Sequence, residues 1–198
     1  MSNQVITTIN VLHSERNRKT VFWRGILVAP VFIFVMAFAQ NASSGWEMGT
    51  AGVIVLPTAL AIIFRKKYPS FVLSFNQALV ELSTRLAAYL LLLNDDYPSI
   101  ERNPSVVVIF PDVEGGAKLN RALPLVKWFL AIPHYIVLSV YLIIALLVSI
   151  IAWVQTWSTG KYPSWASEIV LGTIQYLNRL QGYMFLLVTD EYPSFRLK

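Results

Sequence analysis

Apolar residues in this chain run in long stretches with few interruptions. Val21 to Ala39 carries one charge, Arg24, and Leu123 to Val154 carries one, Lys127, each near the start of its stretch. Gly49 to Phe64 carries none and stops at Arg65-Lys66-Lys67. A bilayer core of about 30 Å needs roughly 20 helical residues, so these stretches predict inserted helices. A second kind of segment follows. Ser70, Ser74, Gln77, Glu81, Thr84 and Arg85 recur at steps of four and three, which marks one polar face of a helix. Ser164, Glu168, Gln175, Asn178 and Arg179 give a second such helix. A charge at mid-bilayer costs at least about 2.5–3.5 kcal/mol, so these helices should lie along the cytoplasmic interface or pack on the bundle. Glu81 and Arg85, four apart, would pair on the wet face. Two short runs of β-branched residues, Val5 to Ile9 and Val106 to Phe110, predict strands that join in a small sheet.

The chain also matches itself. Arg18, Arg24 and Pro30 recur as Arg121, Lys127 and Pro133 at an offset of 103. Lys67-Tyr68-Pro69-Ser70, Arg85 and Tyr89 recur as Lys161-Tyr162-Pro163-Ser164, Arg179 and Tyr183 at an offset of 94. Both halves close on an acidic pair before Tyr-Pro-Ser, at residues 95–99 and 190–194. The offset falls by nine, and the polar run Gln40 to Met48 is the natural insertion. The predicted fold class is an all-α integral membrane protein of two tandem repeats, each with a short cytoplasmic strand, a transmembrane helical hairpin and an amphipathic interfacial helix. Residues 1–20 form an N-terminal arm. Repeat 1, 21–100, holds a hairpin of 21–39 and 49–64 and the amphipathic helix 70–93. A cytoplasmic linker, 101–122, carries the strand 106–110. Repeat 2, 123–198, holds a hairpin over 123–159 and the helix 164–188.

Orientation follows from the basic residues. The run 40–48 holds Glu47 and no Lys or Arg, so the positive-inside rule puts it outside and both termini in the cytoplasm. In the second half, a turn near Ser139 to Leu142 keeps Lys161, Arg179, Arg196 and Lys198 inside, whereas one tilted helix sends them out. A shallow wedge is the third arrangement. The basic residues 16–19 before an apolar stretch, and Ala37-Phe38-Ala39 after it, have the order of a secretory signal. The counterpart of that stretch in the second half cannot be one.

Composition supports the membrane reading. Hydrophobic residues are 56% of the 198 and charged residues 14%, against roughly 45–50% and 25% in soluble domains. There is no cysteine, hence no disulfide and no thiolate site.

The segment Leu123-Pro124-Leu125-Val126-Lys127-Trp128-Phe129-Leu130-Ala131-Ile132-Pro133-His134-Tyr135, then Gly160-Lys161-Tyr162-Pro163 and Asp190-Glu191-Tyr192-Pro193, resembles prokaryotic membrane proteins grouped as domain-of-unknown-function family 4389. In the first half the Ile-Pro-His signature reads Ala29-Pro30-Val31. The resemblance implies tandem units and a prokaryotic membrane address, and it carries no reaction and no active site.

Candidate sites weigh against an enzyme, since no nucleophile–base pair or metal cluster is in the pattern. No catalytic, cofactor or metal residue is expected. Arg16, Arg18, Lys19, Arg65, Lys66, Lys67 and Lys161 form a basic cytoplasmic surface whose first partner is anionic lipid headgroups. No groove-reading motif accompanies the charge, so nucleic acid is not expected. Pro30 and Pro133 interrupt apolar helices beside His134 and read as kinks or, in a transporter, as a ligand site. The acidic pairs 95–96 and 190–191 read as solvated helix ends, and the Tyr-Pro-Ser tyrosines as headgroup anchors. The expected function is a non-catalytic scaffold or accessory subunit that binds lipid and a larger membrane assembly. Alternatives are a membrane-shaping hairpin protein and a small transporter or channel.

Overall fold

A computed structural model of the chain describes residues 3–38, 50–101 and 103–197. The polar run at 40–48, with Glu47, lies outside the described residues. The elements are β1 (Ile6–Ile9), α1 (Arg18–Leu27), α2 (Ala29–Phe38), α3 (Thr50–Arg65), α4 (Ser70–Leu90), β2 (Val106–Ile109), α5 (Leu123–Leu130), α6 (Ile132–Thr159) and α7 (Ser164–Met184). The protein is mostly helical, and the helices Arg18–Ala37 and Ile132–Thr159 are long and apolar enough to cross a membrane.

Local chemistry explains the element ends. Asn17 caps α1, its side-chain oxygen accepting from the backbone N–H groups of Lys19 and Thr20 at 3.1 and 3.4 Å. Pro30 and Pro133 stand at the second position of α2 and α6, just past the joints at Val28 and Ala131. A proline there lacks an N–H that the first turn would leave unbonded anyway, so each joint is a bend between two helices. Ser70 and Ser164 open α4 and α7 behind Pro69 and Pro163, and no side chain caps either helix.

The expected hairpin over 123–159 is absent. From Ile132 the chain runs as one helix of 28 residues to Gly160, whose left-handed φ of 75° ends it. Nothing between Pro133 and Gly160 releases the backbone, and the Ser139 hydroxyl only bonds back to Ile136 O at 2.7 Å. The return arm is α7. Ala131 meets Leu180, Tyr183 and Met184 at one end, and Val148 and Ala152 meet Ala166 and Val170 at the other. The pair is therefore antiparallel along its length.

The helices α4 and α7 are central, and this corrects the expectation of rods on a wet interface. Glu81 and Arg85 are 8% and 4% exposed. They do approach, at 3.8 Å, but inside the protein. The polar stripe faces the sheet. Strands β1 and β2 pair antiparallel, Ile6 with Ile109 through Ile9 with Val106. Gln77 donates to Val108 O at 2.8 Å, the Val108 N–H donates to Glu81 at 3.4 Å, and Gln175 donates to Thr7 O at 3.0 Å. Side chains thus occupy backbone groups that a two-stranded sheet leaves open.

Each helix packs on the strand from the other half of the sequence: α4 on β2, and α7 on β1. The two helices run in opposite directions. Tyr68, ahead of α4, donates to Leu186 O beyond α7 at 2.7 Å, while Tyr162, ahead of α7, donates to Leu91 O beyond α4 at 3.0 Å. Where they cross, Asn178 donates to Thr84 at 3.0 Å and to Thr7 of β1 at 3.0 Å. Thr84 and Asn178 stand at the same offset of 94 as the tyrosines. Outside this core the apolar helices are bare: Ile136, Ile143, Leu147, Ile150, Ile151 and Val154 are each more than half exposed.

One turn depends on a glycine. Gly116 has φ +103°, and a Cβ there would stand 2.7 Å from Tyr68 N and 2.9 Å from Lys66 O. Gly116→Ala should lower stability by about 1–3 kcal/mol. Gly25, with open space around it inside α1, provides the contrast: Gly25→Ala should leave stability unchanged or raise it. Thermal unfolding followed by circular dichroism in mild detergent checks both.

Candidate functional site

The buried charges stand at the C-terminal ends of α4 and α7, where the last carbonyls of a helix lack intrahelical donors. At the end of α4, Arg24 donates to Tyr89 O at 2.6 Å and Asn94 O at 2.9 Å, and its second terminal nitrogen pairs with Asp95. Arg16 pairs with the same carboxylate oxygen at 2.5 Å and donates to Leu92 O. At the end of α7, Lys127 pairs with Asp190 at 2.7 Å and donates to Thr189 O at 2.6 Å. Rings complete both places: Arg24 lies 4.3 Å from the Tyr89 centroid and Lys127 5.0 Å from that of Tyr183. Leu92 and Leu187 both adopt left-handed φ, 66° and 57°, which turns the chain so that each aspartate reaches its cation.

These aspartates are ion-pair partners and not solvated helix ends. The signal was available, because a cation and an acidic pair recur in both halves. Spacing alone did not tie them together, since they lie 71 and 63 residues apart. Arg16 likewise leaves the expected headgroup surface: it is 5% exposed, and burial lowers its pKa while Asp95 opposes the shift. Tyr68 and Tyr162, expected as headgroup anchors, are 4% and 3% exposed.

His134 is fully buried beneath the C-terminal tail. Its Nδ1 is 2.5 Å from the Tyr176 hydroxyl, and its ring stacks on Phe195 with centroids 4.2 Å apart. Tyr192 stands 4.7 Å away, and Tyr141 donates to Phe195 O at 3.1 Å. His134 anchors the tail to α6. Pro30 and Pro133 are exposed at their helix joints. Among the described residues no group of three or more metal-ligating side chains exists.

The remaining basic residues are on the surface. Arg18, Lys19 and Lys161 are exposed near the end of α6, and Arg65, Lys66 and Lys67 are exposed at the end of α3. A cavity of about 680 Å³ opens at the second cluster, between the turn 65–70 and residues 114–117.

Two tests follow. Asp95→Asn leaves two buried arginines without their carboxylate and should cost about 3 kcal/mol, the low end for a broken buried pair, because Asp95 itself is 24% exposed. Exposed Asp96→Asn should be nearly neutral in the same denaturant titration. Burial pushes the Tyr68 and Tyr162 phenols up to about 12 from 10. With the folded pKa raised, their stabilisation is complete below about pH 10 and is lost as the pH rises toward 12. Absorbance titration of Tyr68→Phe and Tyr162→Phe should each remove one late-ionising phenol, and removal of an early one would refute the assignment.

No curated protein and no solved structure matches the chain. A family model does match its second half, from the start of α5 through the tail that covers His134. The family it describes is a domain of unknown function (DUF4389), and residues 123–196 are what it matches.

Proposed function

We propose that the protein is a non-catalytic membrane scaffold or accessory subunit, built from a duplicated unit, whose apolar outer helices lie in one leaflet and whose basic turns meet the headgroups. Duplication is supported by sequence-matched residues in matched roles: Arg24 and Lys127 on aspartates, Tyr68 and Tyr162 on the opposite half, Thr84 and Asn178 touching at the crossing. Such meetings of mates are what a local two-fold axis produces.

The observation that carries the placement is the antiparallel course of α4 and α7. Because α6 follows α7 along its whole length, a vertical α6 would draw α7 and the sheet to the same depth. A two-stranded sheet with open edges is costly in hydrocarbon. Vertical helices would also send the ends of α3 and α6, with Arg65 to Lys67 and Lys161, to opposite faces. Lying flat, both basic ends reach one headgroup layer, in keeping with a cytoplasmic surface and anionic lipid. The address that goes with the family resemblance is a prokaryotic cell membrane, and the distribution of basic residues goes with cytoplasmic termini. Bare apolar surface of this kind suits lipid and the helices of a larger membrane complex alike. A shallow layer in one leaflet also suits membrane shaping.

A multi-pass arrangement is the second reading, favoured by the length and hydropathy of Arg18–Ala37 and Ile132–Thr159. The absence of cysteine makes the test clean. Lys67→Cys and Lys161→Cys, each introduced alone and probed in sealed vesicles with a membrane-impermeant thiol reagent, should label from the same side. Labelling from opposite sides would establish crossing and overturn the flat placement. Recovery of the protein in the soluble fraction, away from vesicles, would overturn the membrane reading altogether.

A further inference from the structure

Resting on the membrane reading above, we propose that the cleft between the turn 65–70 and the segment 114–121 binds the phosphate of an anionic phospholipid headgroup. The cleft is built by backbone. Lys66 takes a left-handed φ of 51°, the Tyr68 N–H donates to Gly115 O at 2.8 Å, and Gly116 lets the two segments touch. The cavity of about 680 Å³ is lined by Arg65, Lys66, Lys67 and Ser70, and a neighbouring one of about 350 Å³ by Lys66 and Arg121.

Three exposed cations therefore border the larger opening and Arg121 the smaller one, with Lys66 on both, and among the described residues none of the four is in an ion pair. The acid on the lining, Glu114, is engaged by Lys118 at 2.9 Å. The opening is left with uncompensated positive charge, which phosphate oxygens complement through charge-assisted hydrogen bonds. The apolar surroundings select the source of that phosphate. Phe64 and Phe71, both 75% exposed, flank the turn, and Leu125, 64% exposed, follows Arg121. A lipid places its phosphate among the cations and its acyl chains on these side chains, whereas a soluble phosphate leaves them in water.

The matching turn in the other half is filled differently. There the Tyr162 N–H donates to His13 O at 2.8 Å, the Arg16 N–H donates to Gly160 O at 3.2 Å, and the Arg18 side chain lies against Gly160. The matching turn is thus packed by the N-terminal arm, whereas the turn 65–70 stands open against the linker segment 114–121.

The test uses the full chain in a neutral detergent, with thermal unfolding read by tryptophan fluorescence. Short-chain phosphatidylglycerol should raise Tm by several degrees, while phosphatidylcholine of the same chain length and glycerol 3-phosphate should not. The double variant Lys66→Asn/Arg121→Gln should lose the shift; asparagine tolerates the left-handed turn, so the unliganded Tm should hold. If that Tm falls instead, the parent decides: 0.5 M salt should abolish its phosphatidylglycerol shift, and persistence of the shift overturns the proposal. An undiminished shift in a folded variant, or an equal shift with phosphatidylcholine, also overturns it. An equal shift with glycerol 3-phosphate overturns the lipid as the source. Because lipid is supplied in detergent, failure here leaves the vesicle labelling intact, and failure there leaves this readout standing.

Discussion

The structure depends on how the backbone carbonyls at the ends of α4 and α7 are satisfied. Local backbone N–H groups bond the carbonyls of Ala87, Ala88, Gln181 and Gly182, and the carbonyls that follow find donors from far along the sequence. Leu91 O takes the hydroxyl of Tyr162, and Leu186 O takes that of Tyr68. Tyr89, Leu92 and Asn94 take arginines from the N-terminal region, and Thr189 takes Lys127. One tyrosine from each half thus serves the other and ties the two together, beside apolar clusters that mix both halves and others, such as Val28, Val31, Leu82 and Leu86, that lie within one. The exchanged strands repeat this dependence, because the helix on which each strand packs belongs to the other half. Reciprocal polar contacts thus join the halves alongside the apolar clusters.

Burying cations next to aspartates is costly in isolation, since desolvation offsets much of the Coulomb attraction. Here each cation serves three partners at once: a carboxylate, a backbone carbonyl at or beyond the helix end and an aromatic face. The favourable interaction of a cation with a helix C-terminus adds to the attraction. The same geometry fixes the bends at Val28 and Ala131, because Arg24 and Lys127 stand one turn before them.

Much of the fold was legible from pattern. The strands, the apolar helices and the polar-striped helices all appear near the expected residues. The errors share one cause: a stripe of polar residues was read as facing water. Glu81, Thr84 and Asn178 face a two-stranded sheet and the opposite helix, Arg85 bonds the loop carbonyls of Ser99 and Glu101, and periodicity reports that a face differs without saying what it meets. The hairpin over 123–159 was inferred from the side on which basic residues ought to emerge. The chain returns through α7 instead, so the charge rule does not require a turn inside α6. At the candidate site, the cluster 65–67 was visible, but its enclosure by Gly115 and Gly116 and its link to Arg121 are tertiary. The aspartates were misread because their partners lie more than sixty residues away.

If the two halves share one core, they cannot open separately. Amide hydrogen exchange on the intact protein in mild detergent, across a urea series, tests this most directly. The slowest amides of α4 and α7 should converge on the same opening free energy and the same urea dependence. Retention of protection in α7 after α4 has opened, or the reverse, would contradict the reciprocal core.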